Sequence, residues 1–334
     1  MFRSFLRHYF EIPDKPKNIV CLGGGVGTAQ ILKGLRTKPY DLTAIVSMAD
    51  DGGSAGRLRR AFSVPPPGDL VNCLAALSDE ESIIKELFLY RFSGERYGKD
   101  TDLAGQKLGN LIFVALSDIY KGDTARALEE FSKIISTNGR VLPATLGDVN
   151  IWGKTSDDTK VYGEQNIDLG KYSGKAKSLK EVHLDPPNPK AYKPAIDALK
   201  AADLIIVGPG DIFSTILPVI IVPAIKSQFL ASPAQKIYIV NIANKPFETA
   251  GFKLSDHLNT IVAHLGANPF DQILVNSNQN AKIPKSFNYK YVTIDKAAQD
   301  KFSKQIIEDD FVNENFVLYH DSQKIAAQIE TIIK

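Results

Sequence analysis

The feature that most constrains this chain is a rhythm. Short apolar runs, each closing in a loop of glycines and acidic or amide side chains, alternate with stretches of helical periodicity. The runs are Asn18–Leu22, Leu42–Met48, Asp203–Val207, Lys236–Val240, Gln272–Val275 and Tyr291–Ile294. Most are continuously apolar rather than alternating, the pattern of strands buried on both faces of a parallel sheet. Helical stretches separate them: Thr28–Leu35 after the first, Leu70–Leu77 and Ser82–Tyr90 after the second, then Leu108–Ile119, Thr124–Ser136, Lys193–Ala201, Pro218–Phe229, Leu254–Leu265 and Ser322–Ile333. Alternation of this kind predicts an α/β fold, a doubly wound and mostly parallel sheet with helices on both faces. Between about residues 140 and 190 the rhythm breaks into short strand-like pieces (VLPAT, VNIWGKT, TKVYGE, EVHLD) separated by Gly, Asp and Ser, which predicts a small β-rich, antiparallel insertion. We read residues 1–16 as an N-terminal extension and 17–334 as a single domain carrying that insertion.

Bulk properties exclude several classes. With 334 residues the chain is long enough to bury a large core, and an apolar fraction of 44% is ordinary for a globular protein. A net charge of +2 supplies no global basic field, so no nucleic-acid partner is expected. The two cysteines, Cys21 and Cys73, lie in apolar surroundings with no zinc or disulfide spacing and read as buried thiols in a reducing cytoplasm. The five histidines are dispersed, and Gly-x-Ser-x-Gly is absent, which argues against a zinc site and a hydrolase elbow. No segment reaches the ~20 apolar residues that span a bilayer. The stretch Met1–Phe10 mixes aromatics with Arg3, Arg7 and His8 and lacks a signal peptide's apolar centre. It reads as a packed helix or one that forms a homodimer, the alternative being a membrane-surface helix.

Five strands run directly into polar loops: Gly23–Thr28, Ala49–Arg57, Gly208–Asp211, Asn241–Lys245 and Asn276–Asn278. In open α/β sheets ligands bind outside the carboxyl ends of the strands, so these loops converge on one crevice. The first, with Gly23, Gly24, Gly25, Gly27 and Thr28, leads into a helix, where glycines let backbone approach a phosphate and first-turn N–H groups face it. It is an incomplete dinucleotide fingerprint and has no Walker lysine. In the second, Asp50 and Asp51 are adjacent acids suited to Mg²⁺ or to a ribose, and are the catalytic and metal candidates if the chain is an enzyme. Gly52, Gly53 and Ser54 permit close backbone approach there. Arg57 can pair with phosphate, whereas Arg59 and Arg60 read as surface residues. Asp69, after the rigid Pro65-Pro66-Pro67 turn, caps a helix or faces the crevice, with Asn72 one turn on. Gly109 and Asn110 either approach the ligand or pack helices. Gly208, Gly210, Asp211 and Asn241 complete the candidate binding set. No prosthetic group is expected.

Taken in order, Gly23–Thr28, Ala49–Arg60, Pro66–Asp69, Gly109-Asn110, Val141–Thr145, Ala202–Gly210, Ile216-Leu217-Pro218 and Ser255–Leu258 form a series. It resembles the family of YvcK-type gluconeogenesis factors and CofD-type 2-phospho-L-lactate transferases, from about residue 18 to the C-terminus. ADDGGSAGRLRR followed by PPGD places the chain nearer the YvcK branch. The resemblance implies a Rossmann-like three-layer sandwich. It also implies either a UDP-sugar-binding regulator of carbon use, cell shape and cell-wall precursor supply, or a transferase that moves a phospholactyl group from a nucleotide-activated donor with Mg²⁺. Four departures stand out against the family pattern. Val26 replaces a Thr, Gln106 and Lys107 stand where a His is common, Asp211 replaces a Ser, and Tyr319 replaces an Arg that helps hold the UDP-sugar. An acid at 211 repels phosphate unless a cation stands between them.

Three functions are weighed. A nucleotide-sugar-binding regulator is favoured by the resemblance. A transferase is the alternative, and the residues leave the question of catalysis open. An NAD-dependent oxidoreductase, with Asp50 on the ribose, is the least supported because the glycine fingerprint is incomplete.

Overall fold

A computed structural model describes residues 15–78, 83–99, 102–172 and 178–333; the N-terminal stretch Met1–Phe10 and the centre of the basic loop 171–180 lie outside them. Strands β1 (Lys17–Gly23), β2 (Tyr40–Val46), β3 (Arg140–Pro143), β4 (Asn150–Thr155), β5 (Lys160–Tyr162), β6 (Leu179–Asp185), β7 (Leu204–Val207), β8 (Gln235–Ile239), β9 (Ala243–Asn244), β10 (Gln272–Asn276), β11 (Lys290–Tyr291) and β12 (Ile306–Asp309) make three sheets. The main sheet has seven strands in the order β12-β10-β8-β7-β1-β2-β3. Every pairing in it is parallel.

The continuous apolar runs explain this layout. In β1, Ile19, Val20, Cys21 and Leu22 are all at most 1% exposed, because helices cover both faces of the strand. Helices Gly25–Leu35, Gly68–Leu77 and Ser322–Ile333 pack together as one layer. Helices Lys193–Ala201 and Pro223–Ala231 pack against each other as part of another. The apolar stretch from Ile212 to Ala231 is bent by 77° between its two halves, and among the described residues no single helix is long and apolar enough to cross a membrane.

Three elements differ from the sequence-based expectation. The run VLPAT belongs to the main sheet as its edge strand β3, parallel to β2, and not to the insertion. The insertion itself is the antiparallel sheet β5-β4-β6. The run Tyr291–Ile294 is not a main-sheet strand, since only Lys290–Tyr291 pairs, antiparallel, with β9. The edge position is taken instead by Ile306–Asp309, whose two isoleucines are followed at once by two acids and so carry almost no apolar pattern.

One close approach ties the C-terminal helix to the helix after β1. A Cβ on Gly34 would stand 2.1 Å from Ser322 O and 3.1 Å from Ala326 Cβ. Backbone cannot yield as a flexible side chain does, so Gly34→Ala is expected to destabilise the fold by about 1–3 kcal/mol, the usual cost of overpacking. Urea denaturation followed by circular dichroism measures it, and a midpoint equal to wild type would show that the helices do not meet this closely.

Candidate functional site

The strand order reverses at β1. From it the chain builds outward through β2 and β3 on one side and through β7, β8, β10 and β12 on the other. The loops after β1 and β7 therefore leave a crevice between them, the usual ligand position in such a sheet. A cavity of about 420 Å³ lies there, lined by the loops after β1, β2, β7 and β8 and closed further by residues of the insertion and of the C-terminal region.

The glycine turn forms one wall. Gly25 has φ +61°, a conformation that favours glycine, and opens the helix Gly25–Leu35. Thr28 serves the turn from behind: its Oγ1 accepts from Gly24 N at 2.9 Å. A Cβ on Gly27 would lie 2.2 Å from Pro209 O, so the β1 and β7 loops touch across the switch point. Gly24, Gly25 and Gly27 line the cavity; Gly23 and Thr28 do not. Asp69 stands directly on the turn, where a Cβ on Gly24 would meet its Oδ2 at 2.1 Å. The Gly25 amide bonds the same carboxylate. Val26 and Gly27 keep first-turn N–H groups with no intrahelical acceptor.

The second loop divides its two acids. Asp50 faces the cavity and accepts from Gly52 N at 2.8 Å. Asp51 does not line it: its Oδ1 accepts from Gln165 N at 2.7 Å, serving the N-terminus of helix Glu164–Asp168 in the insertion. Gly52 and Gly53 line the cavity, whereas Ser54 accepts from Arg91 Nη1 at 3.0 Å. Arg57 is 1% exposed and donates to three carbonyls, Lys99 O at 2.7 Å, Asp102 O at 3.2 Å and Ala104 O at 2.7 Å. Of Arg59 and Arg60, both read as surface residues, Arg60 is exposed as expected and Arg59 is half-buried, and both also clamp backbone. Arg59 donates to Asp50 O at 3.3 Å and Val149 O at 2.8 Å, and Arg60 to Asp51 O at 2.7 Å. They hold the two aspartates from below, a role that a charge run does not announce.

Across the switch point, Asn241 accepts from Gly210 N at 2.8 Å, and both line the cavity with Asp211; Gly208, at φ +76°, lies just before this lining. The cation that Asp211 needs is present. Lys245 Nζ lies 2.6 Å from Asp211 Oδ2 and also pairs with Asp168 of the insertion. Burial lowers the Lys245 pKa, but Asp211, Glu248 and Asp168 outweigh it and hold the ammonium well above its usual range. Carboxylate oxygens of Asp168, Asp211 and Glu248 lie within 4.8 Å of one another, a spacing that by itself suits a metal. Lys245 already supplies positive charge to them. Glu248, fully buried, accepts from Phe213 N at 2.7 Å and Ser214 N at 2.8 Å. Burial and the neighbouring Asp211 nevertheless raise its pKa to about 8.

Besides Gly23, Thr28, Asp51, Ser54, Arg57 and Gly208, three more predicted residues lie off the cavity lining. Asn72 accepts from Lys107 Nζ. Gly109 makes a close helix contact, where a Cβ would meet Phe88 O at 2.6 Å. Asn110 is buried. Conversely, Arg96, Tyr97, Glu164, Gln165, Asp168, Lys245, Tyr289 and Leu318 line the cavity without having been singled out. The insertion residues Glu164–Asp168 follow a β-rich stretch with no ligand motif, so no local signal marks them.

The electrostatics are lopsided. Asp50, Asp69, Glu164, Asp168 and Asp211 face Arg96 and Lys245. Burial, and then repulsion from neighbouring acids, raises Glu164 well above the usual carboxylate range. Burial, with Asp51 and Asp168 adding, also raises Asp50. Asp69 is pushed up to about 7 by burial and then by Asp50. Two buried histidines stay neutral near neutrality: burial lowers both His257 and His320 to about 4, and His320 Nε2 lies 3.1 Å from Val240 O.

A family model, 2-phospho-L-lactate transferase CofD, matches residues 19–312. The chain belongs to the CofD family. Within it the chain sides with the gluconeogenesis factors. It is 39% identical over 329 residues to the gluconeogenesis factor of Bacillus subtilis (strain 168), covering 96% of this chain and 99% of that one. It is 38% identical over 320 residues to that of Halalkalibacterium halodurans, covering 94% and 96%. Two crystal structures of a Bacillus halodurans protein, one described as a member of the UPF0052 family, superpose with TM-scores of 0.85 and 0.86 at 36% and 37% identity. Each covers 95% of this chain and 100% of the other. The CofD-family sheet and its switch-point crevice are thus those of its relatives.

Two outcomes follow from the charges. Lys245→Met would leave Asp168 and Asp211 facing each other at the joint between insertion and sheet. A loss of about 1–3 kcal/mol is expected, since removing one partner strands the others, and thermal unfolding at pH 7 reads it. For Asp69, the folded pKa of about 7 exceeds the ordinary aspartate value of 3.8, so the folded state holds the extra proton between them. Stability from this group is full below pH ~4 and is lost as pH rises through ~7. Asp69→Asn should therefore gain on wild type as pH rises across that window; parallel pH–stability curves would show that Asp69 titrates normally.

Proposed function

We propose that this chain is a gluconeogenesis factor that works by binding a nucleotide sugar, of the UDP-sugar kind, and that couples carbon use to cell shape and the supply of cell-wall precursors. The observation that carries the binding reading is the composition of the switch-point cavity. The first-turn residues Val26 and Gly27 of the helix Gly25–Leu35, whose N–H groups have no intrahelical acceptor, and Asn241 share it with Asp50 and Asp69. Amides and a helix N-terminus suit a diphosphate, and carboxylates suit ribose hydroxyls or a cation bound to the phosphates. At about 420 Å³ the cavity is of ligand size.

The donor set fits Mg²⁺ through Asp50 and Asp69. Both are hard oxygen donors, neither has an ion-pair partner among the described residues, and both carboxyls are raised by burial and neighbouring acids. Asp51 is occupied by the insertion helix, so Asp69 takes the second place that its neighbour was expected to fill. The ion would screen the acids from the ligand's phosphates.

A second reading, a CofD-like transferase moving a phospholactyl-type group to an alcohol, has one observation in its favour. A carboxyl titrating near 7 in the cavity is poised to take a proton from an acceptor hydroxyl.

Calorimetry with UDP-N-acetylglucosamine, UDP and GDP, each with and without Mg²⁺, tests both. The expected result is saturable UDP-sugar binding strengthened by Mg²⁺ and loss of that strengthening in Asp50→Asn. Binding indifferent to both ion and mutation would remove Asp50 from the site, and no binding of any UDP compound would end the nucleotide-sugar reading. Release of a mononucleotide from an activated donor in the presence of an alcohol would favour the transferase.

A further inference from the structure

The cavity's two cations are not equivalent. Lys245 is held by Asp168 and Asp211. Arg96 has no carboxylate within ion-pair distance among the described residues; its guanidinium lies over the ring of its neighbour Tyr97 at 5.7 Å. Both residues line the cavity. Arg96 is packed onto Gly53, where a Cβ would stand 2.6 Å from Arg96 Nε, and Gly53 begins the helix Gly53–Phe62. A side chain at 53 would displace the guanidinium from this place, and the φ of +51° at Gly53 favours glycine there in its own right.

How Arg96 comes to be there is equally specific. It sits between Arg91 and Lys107, which form an isolated antiparallel bridge. Arg57, from the helix Gly53–Phe62, grips the far limb of this loop through the carbonyls of Lys99, Asp102 and Ala104. Arg91 grips the base, donating to Ser54 Oγ at 3.0 Å and Gly105 O at 2.7 Å. One buried guanidinium fork, Arg57, and one exposed one, Arg91, thus hold the loop that brings the exposed Arg96 to the cavity wall. A fork of five donors is suited to carbonyl clamping and to phosphate alike, so burial and partners decide which task each arginine has.

We propose that Arg96 is the residue of this chain that recognises the anionic, phosphate-bearing part of the ligand, and that Arg57 and Arg91 are positioning residues that hold it against Gly53. This deepens the reading above and rests on its claim that the ligand carries phosphates.

Binding of inorganic pyrophosphate, UDP and uridine is measured by calorimetry at fixed Mg²⁺ for wild type, Arg96→Ala, Arg96→Lys and Arg57→Lys. Arg96→Ala should weaken pyrophosphate and UDP at least tenfold, leave uridine unchanged, and be partly rescued in Arg96→Lys. Arg57→Lys should weaken the same two ligands while speeding amide exchange in residues 95–99 and 102–104. Should Arg57→Lys not fold, Arg91→Gln, which loosens the same loop from its other end, is measured in its place. Arg96→Ala binding pyrophosphate as wild type does, or wild type failing to bind it at all, overturns the assignment to Arg96. An affinity loss shared equally by uridine overturns it too. Unchanged anion affinity in the loop variant overturns the positioning role alone. Pyrophosphate bound through Arg96 without any UDP or UDP-sugar binding would instead overturn the nucleotide reading and leave Arg96 in place.

Discussion

Everything at the site depends on the contact of two loops across β1 and β7. These strands are neighbours with chain connections running in opposite directions, so their loops part above the sheet and leave a crevice. The loops still have to meet at one point for the crevice to have a floor. Gly27 against Pro209 O is that point: any side chain at 27 would push the β7 turn away and with it Gly210, Asp211 and Asn241. The parallel register of β1 with both β2 and β7 sets the height at which this happens, and complete burial of Ile19–Leu22 keeps that register in place.

Charge is the second constraint, and it is handled by geometry rather than by neutral residues. Five carboxyl side chains reach one cavity, which is costly unless cations or protons accompany them. The structure meets that cost in two ways. On the β7–β8 side a lysine, Lys245, is built in between acids from two different sheets, so its pairing also fastens the insertion to the main sheet. On the β1–β2 side Asp50 and Asp69 have no ion-paired lysine or arginine among the described residues; burial and neighbouring acids raise both, and the more distant Arg96 only partly offsets this.

The fold was legible to the extent that burial leaves a pattern. Strands covered on both faces, such as β1, β7 and β8, are continuous apolar runs and were placed within a residue or two. Strand β12, with two isoleucines and two acids at the sheet edge, leaves no such pattern and was missed. The position of the site was legible for the same reason, because polar loops at the ends of buried strands have to gather on one rim. Individual roles were less so. Asp50 and Asp51 are chemically identical and adjacent, yet one faces the cavity and the other supports the insertion, because the backbone turns between them. Arg57 and Arg96 show the same limit. A motif announces an arginine, but whether it meets a ligand or a carbonyl depends on a loop some forty residues away.

Two of the departures from the family pattern, at 211 and 319, are matters of charge. Asp211, where a serine is common, adds a negative charge beside the glycine turn, and Lys245 stands against it at 2.6 Å. Tyr319, where an arginine is common, removes a positive charge from the C-terminal wall yet still lines the cavity, with Tyr289 beside it in the same lining. An aromatic in that place offers a face to a base or a sugar instead of a fork to a phosphate. Positive charge on the cavity wall comes from another element: Arg96, carried by a loop that two other arginines fasten down, is the one cavity cation among the described residues with no carboxylate in ion-pair distance. If the ligand carries phosphates, as proposed above, a cavity with an aromatic side chain at 319 and an arginine supplied by a different loop turns them toward Arg96 rather than toward the C-terminal wall.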